Sequence, residues 1–387
     1  MMDAHKIMVM KSRKLVANCW GLLVSLLFLN GVLSAQDTAF KKNEVLKMME
    51  KVANWQLNAL KEVPPNKRGG WENAVGYTGL YELSRISKSK SYADTLYSIG
   101  EKLNWETGRN RFHADDYCIG QLYSLLYKDR MEDRIIANFR GLADSIVSMP
   151  HNESLAWKNN IASREWAWCD ALFMGPPALA YLSTVAGDRK YLDAALKLWW
   201  KTTDYLYDTS EHLYFRDESN FSKRENNGAK VFWSRGNGWV LAGLVRLLRN
   251  MPVDDEGRKP LEKLYKEYAA RIVQLQQTDG TWHSSLLDPD RYPSKETSGT
   301  GLYCYALMWG VNNGLLPAKT YMPVIKKSWS ALTSCISEDG KLGYVQKVAG
   351  SPGAVDENST KIYGVGAFLL AGSETYRWLD KHKKEKY

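Results

Sequence analysis

The chain has 387 residues, 44% of them hydrophobic and 25% charged, with 12 prolines, a balance that excludes a disordered or fibrous protein and suffices for a sizeable core. Its net charge of +9 is spread out, without the Lys/Arg block and interleaved aromatics that nucleic-acid binding would need, so an acidic substrate is the better reason for it. The 15 Trp and 22 Tyr favour a cleft that stacks flat or sugar-ring ligands, and the five Cys fall inside apolar segments rather than at metal-ligand spacing.

In chain order, Lys6, Lys11, Arg13 and Lys14 precede an apolar run from Leu15 to Leu29 and a small-residue stretch ending at Ala35. Residues 1–35 therefore read as a signal peptide cleaved after Ala35, which predicts an exported protein, periplasmic or secreted, with no membrane segment after cleavage. Cleavage removes four basic residues and one acidic residue, lowering +9 to +6. In an exported chain Cys304 and Cys335 are a conceivable disulfide, although small buried hydrophobes are the better reading of the cysteines.

Residues 36–387 read as one domain. Amphipathic helices are predicted over Asn43 to Leu60, Tyr92 to Leu103, Met131 to Ser148, Lys190 to Tyr207, Pro260 to Gln277 and Thr320 to Ile336. Between them, segments beginning near Trp71, Asp116, Asp170, Asn237, Gly299 and Ile362 start polar or glycine-rich and continue as helices apolar on every face. A helix apolar all round must be covered on both sides. Six of them alternating with six half-exposed ones predict an all-α (α/α)6 toroid, with six inner and six outer helices and the polar starts of the inner helices gathered in one cleft. Leu213 to Asp217 and Asp279 to His283 read as short hairpins or loops joining outer to inner helices, and Asp339 to Tyr344 repeats the second.

Three stretches in that cleft carry candidate chemistry. In Glu165 to Pro177, Asp170 is the one acid within the apolar and aromatic segment that follows Glu165, where lost solvation would raise its pKa and keep a proton on for acid catalysis; the alternative is a cap for the helix that follows. Phe232 to Trp239 offers Arg235 as a planar fork for a carboxylate, Trp233 and Trp239 as stacking faces, and two glycines for close backbone approach. His113 to Tyr117 adds the acids Asp115 and Asp116. His283 and His212 stand alone, Ser298 and Thr297 lack a nearby base, and no HExxH, phosphate loop or dinucleotide fingerprint is present.

WCDALFMGPP, FWSRGNGW, ETSGTGLYCYALMWGVNNG and HADDYCIGQ together resemble the unsaturated glycuronyl hydrolases of glycoside hydrolase family 105 and, more distantly, family 88. The likeness spans nearly the whole chain after the leader and implies an (α/α)6 barrel. It implies removal of a 4,5-unsaturated uronic acid from the non-reducing end of polysaccharide-lyase products, by hydration of the C4=C5 double bond. Asp170 would protonate C4. Asp116 or its neighbour Asp115 would be the second acid, Asp116 being preferred because it is read as opening the helix. Arg235, Trp233 and Trp239 would line the uronate subsite, and Asp115, Trp168 and His283 complete the expected substrate-binding set. No metal or cofactor is implied, and no oligomeric state. Lys158-Asn159-Asn160 stands where members acting on pectin fragments commonly carry a histidine, so rhamnose as in rhamnogalacturonan fragments is the default leaving-side sugar, with sulfated rhamnose from ulvan or an arabinogalactan-type side chain left open. Two other readings stay in play: a conventional inverting hydrolase of saturated chains, and a carbohydrate-binding protein without catalysis.

Overall fold

The computed structural model describes residues 39–148, 152, 154–156 and 166–383. The leader, Glu165 and the Lys158-Asn159-Asn160 departure lie outside them.

Outer and inner helices alternate along the chain: α1 (Lys42–Leu60), α2 (Trp71–Ser84), α3 (Ser91–Lys102), α4 (Ile119–Arg130), α5 (Arg134–Ser148), α6 (Ala171–Met174), α7 (Pro176–Ala186), α8 (Lys190–Leu206), α9 (Ser234–Leu248), α10 (Arg258–Gln274), α11 (Thr297–Asn312), α12 (Ala318–Thr333) and α13 (Ile362–Lys383). The inner series is α2, α4, α6 with α7, α9, α11 and α13. Each packs on the next and α13 packs back on α2, which closes the ring. Outer helices α3, α5, α8, α10 and α12 each cover the inner helix that precedes or adjoins them, and α1 covers α13. Composition explains the two layers. Every residue of α9 is buried, whereas α10 buries only the Leu261, Leu264, Tyr265, Tyr268, Ala269, Ile272 stripe and turns its Lys and Glu outward.

Small residues let the inner helices touch. A Cβ on Gly79 would stand 2.5 Å from the carbonyl oxygen of Gly366, so the α2–α13 seam that closes the ring needs glycine there. The third inner element is broken where the sequence suggests one helix from Asp170 onward: α6 stops at Met174 and α7 restarts at Pro176. Pro176 and Pro177 supply no N–H to the preceding turn, and they occupy the first positions of α7, where none is required.

The connectors follow the expected repeat. Tyr207–Asp208 (β1) pairs antiparallel with Leu213–Tyr214 (β2), in the register Tyr207 with Tyr214 and Asp208 with Leu213. Asp279 and Asp339 close matching turns: the Asp279 side chain accepts from the backbone N–H of Thr281, and Asp339 from that of Lys341. Cys118, Cys169, Cys304 and Cys335 are all buried free thiols, so the Cys304–Cys335 disulfide is absent and the cysteines act as small hydrophobes. Among the described residues no helix is long and apolar enough to cross a membrane.

Candidate active site

The stretch leading into α6 fixes the first acid. Trp166 is fully buried with a positive φ of 61°, and its carbonyl accepts from the Thr202 hydroxyl at 2.9 Å. Cys169 donates its backbone N–H to the carbonyl of Arg216 at 2.8 Å, which ties this stretch to the segment after β2. Asp170 then precedes Ala171, the first residue of α6, and makes no side-chain capping bond. Capping does not explain it. Burial pushes the Asp170 carboxyl pKa up, against the opposing charges of Arg216 and Arg235. The Cys169 thiol, itself kept protonated by burial, donates to Asp170 Oδ2 at 3.4 Å.

The second acidic pair enters through a 3₁₀ turn, Ala114–Tyr117, that packs against α6; α4 begins only at Ile119, so Asp116 does not open the helix. The two acids have different surroundings. Asp116 Oδ2 accepts from the Asn110 backbone N–H at 2.8 Å, and Oδ1 lies 3.3 Å from His113 Nδ1. A Cβ on Gly108 would meet the Asp116 carboxyl carbon at 2.0 Å, so that loop is folded around the carboxylate. Asp115 instead has its pKa pushed up to about 6, first by burial, with the negative charges of Asp170 and Asp116 adding to the shift while His113 and Arg216 oppose it. Electrostatically, Asp115 is the acid paired with Asp170.

Arg216 is the site residue that sequence reasoning missed. It follows β2, its Nη1 donates to Asp217 Oδ2 at 2.6 Å, and its charge acts on both Asp170 and Asp115. The one local hint was the Arg-Asp pair at the end of an otherwise apolar hairpin.

Arg235 departs from its expected role. It is 1% exposed, and each terminal nitrogen is bonded to the backbone: Nη1 donates to the carbonyl of Gln346 at 2.6 Å and Nη2 to that of Lys347 at 2.9 Å, while Nε meets no acceptor among the described residues. The fork therefore holds the α12–α13 loop. Trp233 Nε1 donates to Gln346 Oε1 at 2.8 Å, the Tyr363 hydroxyl donates to the Gln346 carbonyl at 2.5 Å, and the Gln346 N–H reaches Glu296 Oε1 at 3.3 Å. Gln346 is the knot of this loop. Further along it, Gly350 lies against the Arg216 guanidinium, since a Cβ there would be 3.4 Å from its carbon.

The remaining expected contacts separate by depth. Trp168 sits beside the acids, its ring 5.6 Å from that of His113. Trp239 is instead a core residue, fully buried between Phe173, Tyr363 and Trp71 at 5.0, 6.1 and 6.3 Å. Trp71, partly exposed and stacked on Tyr363 at 5.3 Å, is the more accessible face of that cluster. His283 is held within its own loop, Nδ1 against the Pro289 carbonyl and Nε2 against Asp279, so its ring nitrogens are occupied. Among the described residues no cluster of three His, Cys, Asp or Glu side chains is arranged to hold a metal ion.

Residues 45–379 match the model for Glycosyl Hydrolase Family 88. An unsaturated 3S-rhamnoglycuronyl hydrolase of Formosa agariphila is 38% identical over 349 residues, 87% of this chain and 91% of the relative. A second protein of that name, from an Alteromonas species, is 36% identical over 350 residues, 85% of each chain. A solved structure named as a polysaccharide lyase superposes with a TM-score of 0.80 at 31% identity, covering 88% of this chain and 98% of its own.

Proposed function

This chain belongs to glycosyl hydrolase family 88, and from that premise we propose that it removes an unsaturated uronic acid from the non-reducing end of a rhamnose-bearing oligosaccharide. The observation that carries the proposal is the pair of carboxyls with raised pKa values, Asp170 and Asp115, under the charge of Arg216. Adding a proton to an alkene carbon calls for a carboxyl that holds its proton more tightly than an exposed one, and burial shifts Asp170 in that direction.

Asp170 delivers its proton to C4, and the double-bond electrons form the new C–H bond. The positive charge left at C5 is shared with the ring oxygen. Water adds to C5 and loses a proton to the Asp170 carboxylate, which restores the acid. The resulting hemiketal opens and releases the remaining sugar chain. Asp115 holds the adding water, and Arg216 takes the uronate carboxylate. Because no carboxylate displaces at the anomeric carbon, the carboxyl-separation rule for ordinary glycosidases has no bearing here. The names of the Formosa and Alteromonas relatives support rhamnose on the leaving side.

The test is the ultraviolet absorbance of lyase-generated ulvan and rhamnogalacturonan fragments after adding the protein. Loss of the conjugated C4=C5 signal supports hydration. A rise on intact polysaccharide would mean a lyase, the activity named for the structural neighbour, and sugar release without change would mean a saturated-chain hydrolase.

Arg216→Gln is expected to raise KM about 10- to 100-fold, the worth of a lost charged hydrogen bond, with a smaller effect on kcat. Removing that positive charge also lets the Asp170 and Asp115 pKa values climb further, so the alkaline limb of kcat should move to higher pH. An unchanged KM together with an unchanged pH profile would exclude Arg216 from the site. Export, with Gln36 as the mature amino terminus, also remains our proposal, to be tested by amino-terminal sequencing of the released protein.

A further inference from the structure

Eleven residues after Arg235, and so ~16 Å further along α9, a second arginine is buried in the bore. Arg246 is 0% exposed. Its Nε donates to Gln121 Oε1 at 2.5 Å, while Gln121 Nε2 is anchored on the Phe173 carbonyl at 2.8 Å. The guanidinium lies over the rings of Tyr181 and Phe173, at 5.0 and 5.8 Å. Its Nη1 and Nη2 meet no acceptor among the described residues.

Two neighbours share this condition. The hydroxyl of Tyr305, a ring within electrostatic reach of Arg246, is buried without a partner, and so is the hydroxyl of Ser124, one turn beyond Gln121 on the same face of α4. All of these orphaned groups can donate. Leaving them unpaired in the interior is costly, and the cost is greatest for the charged one.

Charge balance points the same way. Arg249 pairs with Glu82 at 3.2 Å and with Glu374 at 3.5 Å, and Arg377 pairs with Glu374 at 2.8 Å and also with Glu82. Both carboxylates are thus committed to the other two arginines. Arg246 forms no ion pair among the described residues; Glu82 feels its charge at longer range, but three arginines against two carboxylates leave this cluster with one net positive charge. Water would satisfy its hydrogen bonds but not its charge. A surface depression of about 500 Å³, lined in part by Arg249, Arg258, Asn312, Glu374 and Arg377, lies beside this cluster of charges.

We propose that this inner end of the bore binds a small monovalent anion, chloride in salt solution, on Arg246 Nη1 and Nη2 with the Tyr305 hydroxyl as a further donor. The aromatic walls favour a single-atom ion over a sugar acid. The anion neutralises the bore and stabilises the ring without touching the catalytic cleft.

Replacing chloride by gluconate at constant ionic strength should lower Tm by ~2–4 °C, and bromide should restore it. Tyr305→Phe, which keeps the packing, should weaken that dependence, and Arg246→Met should abolish it. Crystals grown in bromide should show an anomalous peak within hydrogen-bonding reach of Arg246. Equal Tm in chloride and gluconate would overturn the proposal, as would a bromide map with waters alone at those nitrogens. Should Arg246→Met fail to fold, Tyr305→Phe and the anomalous map still decide.

Discussion

Asp170→Asn is expected to lower kcat by ~10³-fold or more while leaving the protein folded and able to bind substrate, since the loss of a positioned general acid costs roughly 10²–10⁴ and here the same group also takes the proton back. The amide has the shape of the carboxyl and can still accept from the Cys169 thiol, but it has no proton to give to C4. Stability should move the other way. The folded-state pKa of Asp170 lies above its ordinary value, so ionisation is disfavoured in the fold. The stability tied to its proton is complete below the unfolded pKa and is lost as pH rises through the folded one. An uncharged Asn avoids that loss, so Tm at neutral pH should be equal or higher. Kinetics on an unsaturated disaccharide with parallel calorimetry give both numbers. Retention of more than about a tenth of kcat would remove Asp170 from the role of general acid.

The toroid was legible because its inner helices are apolar on every face, a pattern that a two-layer ring satisfies and a surface helix does not. Asp170 was legible for a related reason, being a lone acid in an apolar stretch. What stayed hidden depends on contacts across the ring. The fork of Arg235 looked available because its acceptors, the carbonyls of Gln346 and Lys347, lie more than a hundred residues further along the chain. Trp239 looked like a stacking face, yet its position on a helix buried on both sides makes it core. Arg216 carries only a faint local mark, the Arg-Asp pair that ends an apolar hairpin. It reaches the acids only because the carbonyl of its own residue pairs with the N–H of Cys169. Adjacent Asp115 and Asp116 could not be told apart by pattern, since a single 3₁₀ turn decides which carboxyl turns toward Asp170 and which braces the Gly108–Asn110 loop.

That turn makes a paired expectation for the two neighbours. Asp115→Asn should lower kcat by ~10²-fold or more, because the water adding at C5 loses the carboxyl that holds it. Asp116→Asn keeps an acceptor for the Asn110 N–H and should retain most activity. The stability of Asp115→Asn is a second, independent reading. With a folded pKa of about 6 against an ordinary 3.8, native Asp115 binds its proton more tightly than the unfolded chain does. Its contribution is therefore complete below about pH 3.8 and is lost as pH rises through about 6, a change of at most ~3 kcal/mol at 1.36 kcal/mol per pK unit. Asn, neutral throughout, should make the protein more stable than the parent above pH 6 and no more stable near pH 4. The comparison needs only denaturation midpoints of both proteins at the two pH values. A stability gain independent of pH would mean that Asp115 is not the acid whose ionisation the fold resists, and loss of activity in Asp116→Asn alone would return the catalytic role to Asp116.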